Sequence, residues 1–285
     1  MDHAMTEVRA ESSPVPTLPR WSLRNPPFPI TGRRLALGLG LIGIGKPWGH
    51  TGDTVPPETQ VQQLLESAFT LGVRYLDTAP SYGVSEQRLS GFLASLEPAQ
   101  RASLTIATKF GEHWDSRRQQ PFVDHRYDAL ARSLDESLER LGHIDLLQLH
   151  KTTPEVLRSR DVERALDYAR SLGIPNFGAS VSDLESADLA LSTQSFSVLQ
   201  FPLNPASLQF RDIARRASAS GLLAVSNRPF GMGSLLYAEL PLTQDAAFDF
   251  LKSQPFDGIV LTGTKSIEHL RQNWEVFHSV GSERT

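Results

Sequence analysis

Four residues of types that move protons or polarise oxygens stand at the ends of apolar runs. Val73 to Leu76 ends on Asp77, and Tyr82 follows five residues later. Leu104 to Lys109 delivers a lysine, and Ile144 to His150 delivers a histidine. An acid, a phenol, an amine and an imidazole can together give a proton to a polarised oxygen. An unperturbed tyrosine hydroxyl has a pKa near 10, so at neutral pH it is protonated but a sluggish acid. An ammonium beside it stabilises the phenolate and eases release of the proton. Lys109 is therefore expected beside Tyr82, and Asp77 is expected to hold the lysine's charge in a partly dry site. His150 would orient a substrate carbonyl and share the proton work. A different chemistry stays open: Lys109 could form a Schiff base, as in aldolases. Taken singly, each residue also has a plain role, as a helix cap, a buried ring, a surface charge or a core histidine.

For these side chains to meet, the runs that carry them must be parallel neighbours in one sheet. Apolar residues recur at helical spacing from Glu58 to Leu71 (Val61, Leu64, Leu65, Ala68), and Gly72 closes that helix. Further helices are expected over 85–96, 127–141, 162–172, 183–191, 210–220, 243–253 and 266–279. They alternate with strand-like runs at 35–45, 174–179, 197–201, 222–226 and 258–261. This alternation argues for an α/β fold, a right-handed parallel (β/α)8 TIM barrel in a single domain with a short C-terminus. Catalysis in such a barrel sits on the rim at the carboxyl ends of the strands. Residues 30–285 are assigned to the barrel. Residues 1–29, proline-rich and without apolar periodicity, read as a flexible N-terminal tail. Trp21 to Arg34 is the segment available to plug the barrel bottom. Gly38, Gly40 and Gly43 fit a Gly-x-Gly-x-x-Gly dinucleotide loop, but no helix is expected to open there, and close packing is the preferred role. Residues 111–121 read as a polar loop on the catalytic rim.

Composition narrows the class. At 285 residues with 40% hydrophobic and 21% charged content, the chain is an ordinary globular protein. A net charge of −4 gives no reason to expect nucleic acid or an anionic membrane as partner. The absence of cysteine excludes disulfides, Cys-ligated zinc and a thiol nucleophile. No metal is expected. Arg33-Arg34 before a short apolar run could belong to an export signal, yet the run is glycine-rich and starts late, so it is assigned to the first strand. A cytoplasmic location and, by default, a monomer are expected.

Asp77-Thr-Ala-Pro-Ser-Tyr82-Gly83, then Thr108-Lys109, then Leu147-Gln-Leu-His150 occur in the order found in the aldo-keto reductase superfamily. The resemblance runs from about Leu35 to Asn273. It implies an NADP-dependent oxidoreductase that reduces an aldehyde or ketone to an alcohol, or runs the reverse oxidation. Tyr82 would be the proton donor, with Asp77, Lys109 and His150 in the roles given above. A nucleotide-binding regulatory module on the same barrel is the alternative beside the Schiff-base lyase.

The resemblance places the cofactor in the second half of the chain. Gly178-Ala-Ser-Val-Ser is similar to the family's Gly-Val-Ser-Asn, which implies that Ser180 meets the nicotinamide amide; Gln200 matches the family's second carboxamide ligand. Asn227-Arg228-Pro229-Phe230-Gly231-Met-Gly233 occupies the loop that covers the pyrophosphate, where glycine N–H groups can approach phosphate oxygens and Arg228 can bridge them or stack. Gly263, Thr264, Lys265, Arg271 and Asn273 fall in the segment that grips adenosine and its 2′-phosphate. The family's usual lysine and arginine are here Gly263 and His269, so Lys265 is the candidate replacement. NADPH is the expected cofactor, with NADH possible. Only Trp274 to Thr285 follow that segment, so no long C-terminal loop is available to roof the pocket. The pocket is expected to be open, with walls from 46–54, 112–124 and 203–208 and with Trp48, Trp114 and Phe122 as aromatic candidates.

Overall fold

The computed structural model describes residues 35–48, 54–238 and 241–280. The tail, the Trp21 to Arg34 plug and the Arg33-Arg34 pair lie outside the described residues. In chain order the strands are β1 (Leu35–Gly40), β2 (Tyr75–Asp77), β3 (Thr105–Phe110), β4 (Glu112–Asp115), β5 (Gln120–Val123), β6 (Leu146–Leu149), β7 (Asn176–Ser180), β8 (Val198–Pro202), β9 (Leu223–Asn227) and β10 (Gly258–Gly263). Eight of them close a parallel barrel, β1-β2-β3-β6-β7-β8-β9-β10, and β4 pairs antiparallel with β5 outside it. Helices such as Glu58–Leu71, Tyr127–Leu141 and Ile267–Ser279 pack around the barrel. Among the described residues no helix is long and apolar enough to cross a membrane.

Side chains alternate between two cores, as a period of two requires. Leu35, Leu37 and Leu39 of β1 join the large cluster that also holds helix residues such as Val61, Leu64 and Leu65. A second cluster of Tyr75, Ala107, Leu146, Val198, Leu223, Val225, Ile259 and Leu261 fills the barrel. Counting on in twos from these inward residues gives Asp77, Lys109, Gln148, Gln200 and Asn227. Strand geometry therefore aims the candidate site residues into one rim. β1 reaches the barrel interior only because Gly38 has no side chain: a Cβ there would lie 2.7 Å from Ile259 Cγ2 and 3.0 Å from the Tyr75 ring.

Two expectations need correction. After β1 a single turn of helix, Ile42–Gly45, does open. It is glycine-rich and carries no side-chain cap, so it lacks the signals by which a helix start is read. The run 111–121 is not a bare loop. It begins a hairpin in which His113 faces Phe122 and Trp114 faces Pro121. Its turn is set by polar contacts rather than by an apolar pattern: Asp115 Oδ1 accepts from the backbone N–H of Arg117 and Arg118, and Gln119 takes φ +54°.

Candidate active site

A cavity of about 1040 Å³ opens at the carboxyl ends of the strands. Asp77, Tyr82 and His150 line one part of it, with Lys46, Trp48, Glu112, Pro121 and Lys151. Ser180, Gln200, Asn227 to Phe230, Gly233, Gly263, Thr264, Lys265 and Asn273 line the rest. Trp114, Gly231 and Arg271 are not among the lining residues; His269 and Gln272 are.

Lys109 lies beneath that surface, 1% exposed. Its ammonium donates to Asp77 Oδ1 and, at 3.0 Å, to the Thr78 carbonyl. Gln148, opposite Lys109 across the β3–β6 pairing, donates to the other Asp77 oxygen at 3.0 Å. Lys109 Nζ sits 5.0 Å from the centroid of the Tyr82 ring. Burial disfavours the Lys109 charge, but the Asp77 carboxylate and the Tyr82 hydroxyl outweigh it and hold the pKa above the ordinary lysine value. Burial also pushes the Asp77 carboxyl up, against the pull of Lys109 and Gln148. The Tyr82 hydroxyl is raised by burial while Lys109 draws it down, so it is protonated at neutral pH. A lysine held as an ammonium is a poor Schiff-base nucleophile, which weighs against the aldolase-like chemistry.

His150 faces Tyr82 edge-on, with ring centroids 6.0 Å apart. Its Nδ1 lies 3.3 Å from Glu112 Oε2 without making a hydrogen bond, and its backbone carbonyl contacts His125 Nε2 at 2.8 Å. Burial, with Lys109, Lys151 and Lys46 nearby, holds the imidazole well below its usual range, so it is neutral. The linkage sign follows. Below about pH 6.5 the unfolded chain takes up a proton that folded His150 refuses, so folding stability falls with falling pH by up to about 1.4 kcal/mol per pH unit. His125 is depressed by burial in the same sense. His150→Gln should lessen the loss of urea stability between pH 7.5 and 5.5; an unchanged slope would show that His150 is not held neutral.

The other half of the cavity has amides without partners. Gln200, 2% exposed, and Asn227 each keep a buried side-chain oxygen that accepts nothing from the described residues. Arg228, exposed, takes φ +57°, a costly backbone for a residue with a side chain. Asn204 holds it there by donating to the Arg228 carbonyl at 2.7 Å. At the start of helix Ile267–Ser279, Ser266 is the cap residue and accepts from the His269 N–H. Lys265 extends over the groove and donates to the Thr54 carbonyl at 2.9 Å. Sequence reasoning missed Lys46, Glu112 and Lys151 as individuals, although it placed the first two in wall loops. Lys151, next to His150 and at φ +52°, carries a strain signal that only the backbone reveals.

Comparison with known proteins settles the affiliation. Residues 36–246 match the Aldo/keto reductase family. The chain belongs to that family. It is 29% identical over 171 residues to Aldo-keto reductase YhdN of Bacillus subtilis (58% of this chain, 49% of that one). It is also 29% identical over 188 residues to an Aldo-keto reductase of Mycobacterium sp. strain JLS (64% and 62%). The chain thus spans about half to three fifths of the length of these curated relatives. A D-threo-aldose 1-dehydrogenase from a Pseudomonas species is 30% identical over 251 residues, covering 72% of both chains. Among solved structures, an aldo-keto reductase from Pseudomonas aeruginosa superposes with a TM-score of 0.72 at 25% identity, covering 86% of this chain and 89% of that one. The aldo/keto reductase match thus falls on a closed parallel (β/α)8 barrel.

Proposed function

We propose that this chain reduces an aldehyde or ketone with NADPH, Tyr82 supplying the proton, and that NADH is a weaker alternative. The observation that carries the reading is the buried Asp77–Lys109 pair set beneath the Tyr82 ring in the same cavity as two unpartnered amide oxygens. Those oxygens, Gln200 Oε1 and Asn227 Oδ1, suit a carboxamide N–H donor. With Ser180 they would hold the nicotinamide amide. Asn227 to Gly233 would cover the pyrophosphate, and Thr264, Lys265 and Ser266 would take the 2′-phosphate at a helix N-terminus, where anions are favoured. A bound nicotinamide supplies the hydride that the carbonyl carbon receives. The chain's own residues do the rest. Neutral His150 orients the carbonyl oxygen, Tyr82 hydroxyl gives it a proton, and Lys109 offsets the negative charge left on the phenolate. Asp77 and Gln148 keep the ammonium in place through the cycle.

A fluorescence titration with NADPH and NADH, followed by a carbonyl panel, tests this directly: saturable quenching and nucleotide-dependent aldehyde loss are expected. Lys265→Ala should weaken NADPH binding by roughly ten- to a hundredfold, the scale of one hydrogen bond to a charged group, and leave NADH nearly unchanged. Equal losses for both would show that Lys265 acts through its tie to Thr54, or on a group the two nucleotides share.

A further inference from the structure

Three lysines stand at the substrate side of the cavity, Lys46 and Lys151 on its wall and Lys109 beneath it, and two have carboxylate partners. Lys109 is paired with Asp77, and Lys151 Nζ lies 3.2 Å from Glu112 Oε1. Lys46 differs. Among the described residues no carboxylate pairs with its Nζ, and its one hydrogen bond goes to the Ser81 carbonyl at 3.0 Å. Two of the ammonium's three donors thus bond to none of the described residues and can serve another molecule. Aromatic rings surround it: Nζ lies 5.7 Å from the Tyr82 centroid, 5.4 Å from Trp114 and 5.9 Å from Trp48.

The backbone fixes this position. A Cβ on Gly45 would fall 1.8 Å from the Tyr82 carbonyl, and one on Gly83, at φ +64°, would fall 2.4 Å from the Gly45 carbonyl. The turn ending at Gly45 therefore packs main chain to main chain against the Tyr82 loop, and the Val84 N–H donates to the Gly45 carbonyl at 3.2 Å. The residue that follows is Lys46, held beside the proposed proton donor.

We propose that Lys46 is a specificity-determining residue that binds an anionic oxygen group, a carboxylate or a phosphate, on the carbonyl substrate. The inference rests on the reductase reading given above. Ring faces orient a cation without neutralising it, and hydrogen bonds between ions are roughly twice as strong as neutral ones. Burial draws the Lys46 ammonium below the ordinary lysine value even though Glu112 pulls the other way; a bound anion offsets that loss of hydration. Trp48, which lines the cavity, would flank the apolar body of such a substrate, while Trp114 backs the Lys46 ammonium.

The test uses three aldehydes of one shape: 4-carboxybenzaldehyde, its methyl ester and 4-formylphenyl phosphate. The wild type should prefer an anionic aldehyde to the ester. Lys46→Met should cut that preference, the ratio of kcat/KM values, by roughly ten- to a hundredfold, mostly through KM. Lys46→Glu should invert it. The arm that loses more tells carboxylate from phosphate. An equal ratio in wild type and Lys46→Met for both anions overturns the proposal. A binding arm needs no turnover: 4-(hydroxymethyl)benzoate and 4-(hydroxymethyl)phenyl phosphate, the product alcohols, should quench tryptophan fluorescence in the wild type far more than in Lys46→Met. If no aldehyde is reduced yet this difference appears, the anion site stands and the reductase reading falls. If aldehydes are reduced without anion preference or Lys46-dependent quenching, the anion site falls alone. Neither activity nor quenching overturns both.

Discussion

Tyr82→Phe should keep the barrel and its nucleotide affinity while lowering turnover of a good aldehyde by roughly a hundredfold or more, the usual scale for loss of a general acid. The ring remains, so the contacts with Lys109 and His150 persist; only the proton source goes. The loss should appear in kcat and in kcat/KM alike, because the hydroxyl acts on the oxygen only as charge develops there. Steady-state kinetics beside a nucleotide titration checks both halves. Reduction at the wild-type rate would remove Tyr82 from the mechanism.

Lys109→Met should cost both activity and stability. It strips the cation from Asp77, a carboxylate 1% exposed whose remaining hydrogen bond comes from Gln148. Removing one partner of a buried ion pair typically costs about 3–5 kcal/mol. The pH sign separates this from a packing defect. Burial already lifts the Asp77 carboxyl above its ordinary value, and without Lys109 it should rise further. The folded variant then binds a proton that the unfolded chain has released, so its stability falls as pH rises above about 4. Urea midpoints for parent and variant should therefore diverge more at pH 8 than at pH 5. Adding Asp77→Asn should restore most of the stability and none of the turnover. A double variant as unstable as the single one would mean that the pair is not what holds this rim together.

Much of the site was legible because strand ends carry both the fold signal and the chemistry. Asp77, Lys109 and His150 close apolar runs, and the period of two that buries Tyr75, Ala107 and Leu146 also turns those residues inward. Gln148 went unread for the reverse reason: it interrupts a buried strand without ending it, and only pairing across β3 and β6 brings it to Asp77. Glu112 and Lys151 were invisible as a pair, since their contact depends on a hairpin with no alternating pattern and on a left-handed residue after His150. Lys46 needed two glycines whose meaning lies in close main-chain approach, Gly45 to the Tyr82 carbonyl and Gly83 to the Gly45 carbonyl. The resemblance places Arg271 with the adenosine segment; on the last helix it is exposed and outside the cavity lining, which includes His269 and Gln272. Helical phase, known only once the helix start at Ser266 is fixed, decides which of these side chains face the cavity.

Hydride transfer itself is best followed by isotope. The chain is incubated with NADPH carrying deuterium at both C4 positions and a reactive aldehyde such as 4-nitrobenzaldehyde, and the alcohol is weighed by mass spectrometry. One deuterium per alcohol, bound to carbon and absent from the reaction in unlabelled NADPH, is the expected result. Nucleotide that binds without passing label, together with a borohydride-trapped substrate adduct on Lys109, would contradict the reductase reading and turn the site over to Schiff-base chemistry.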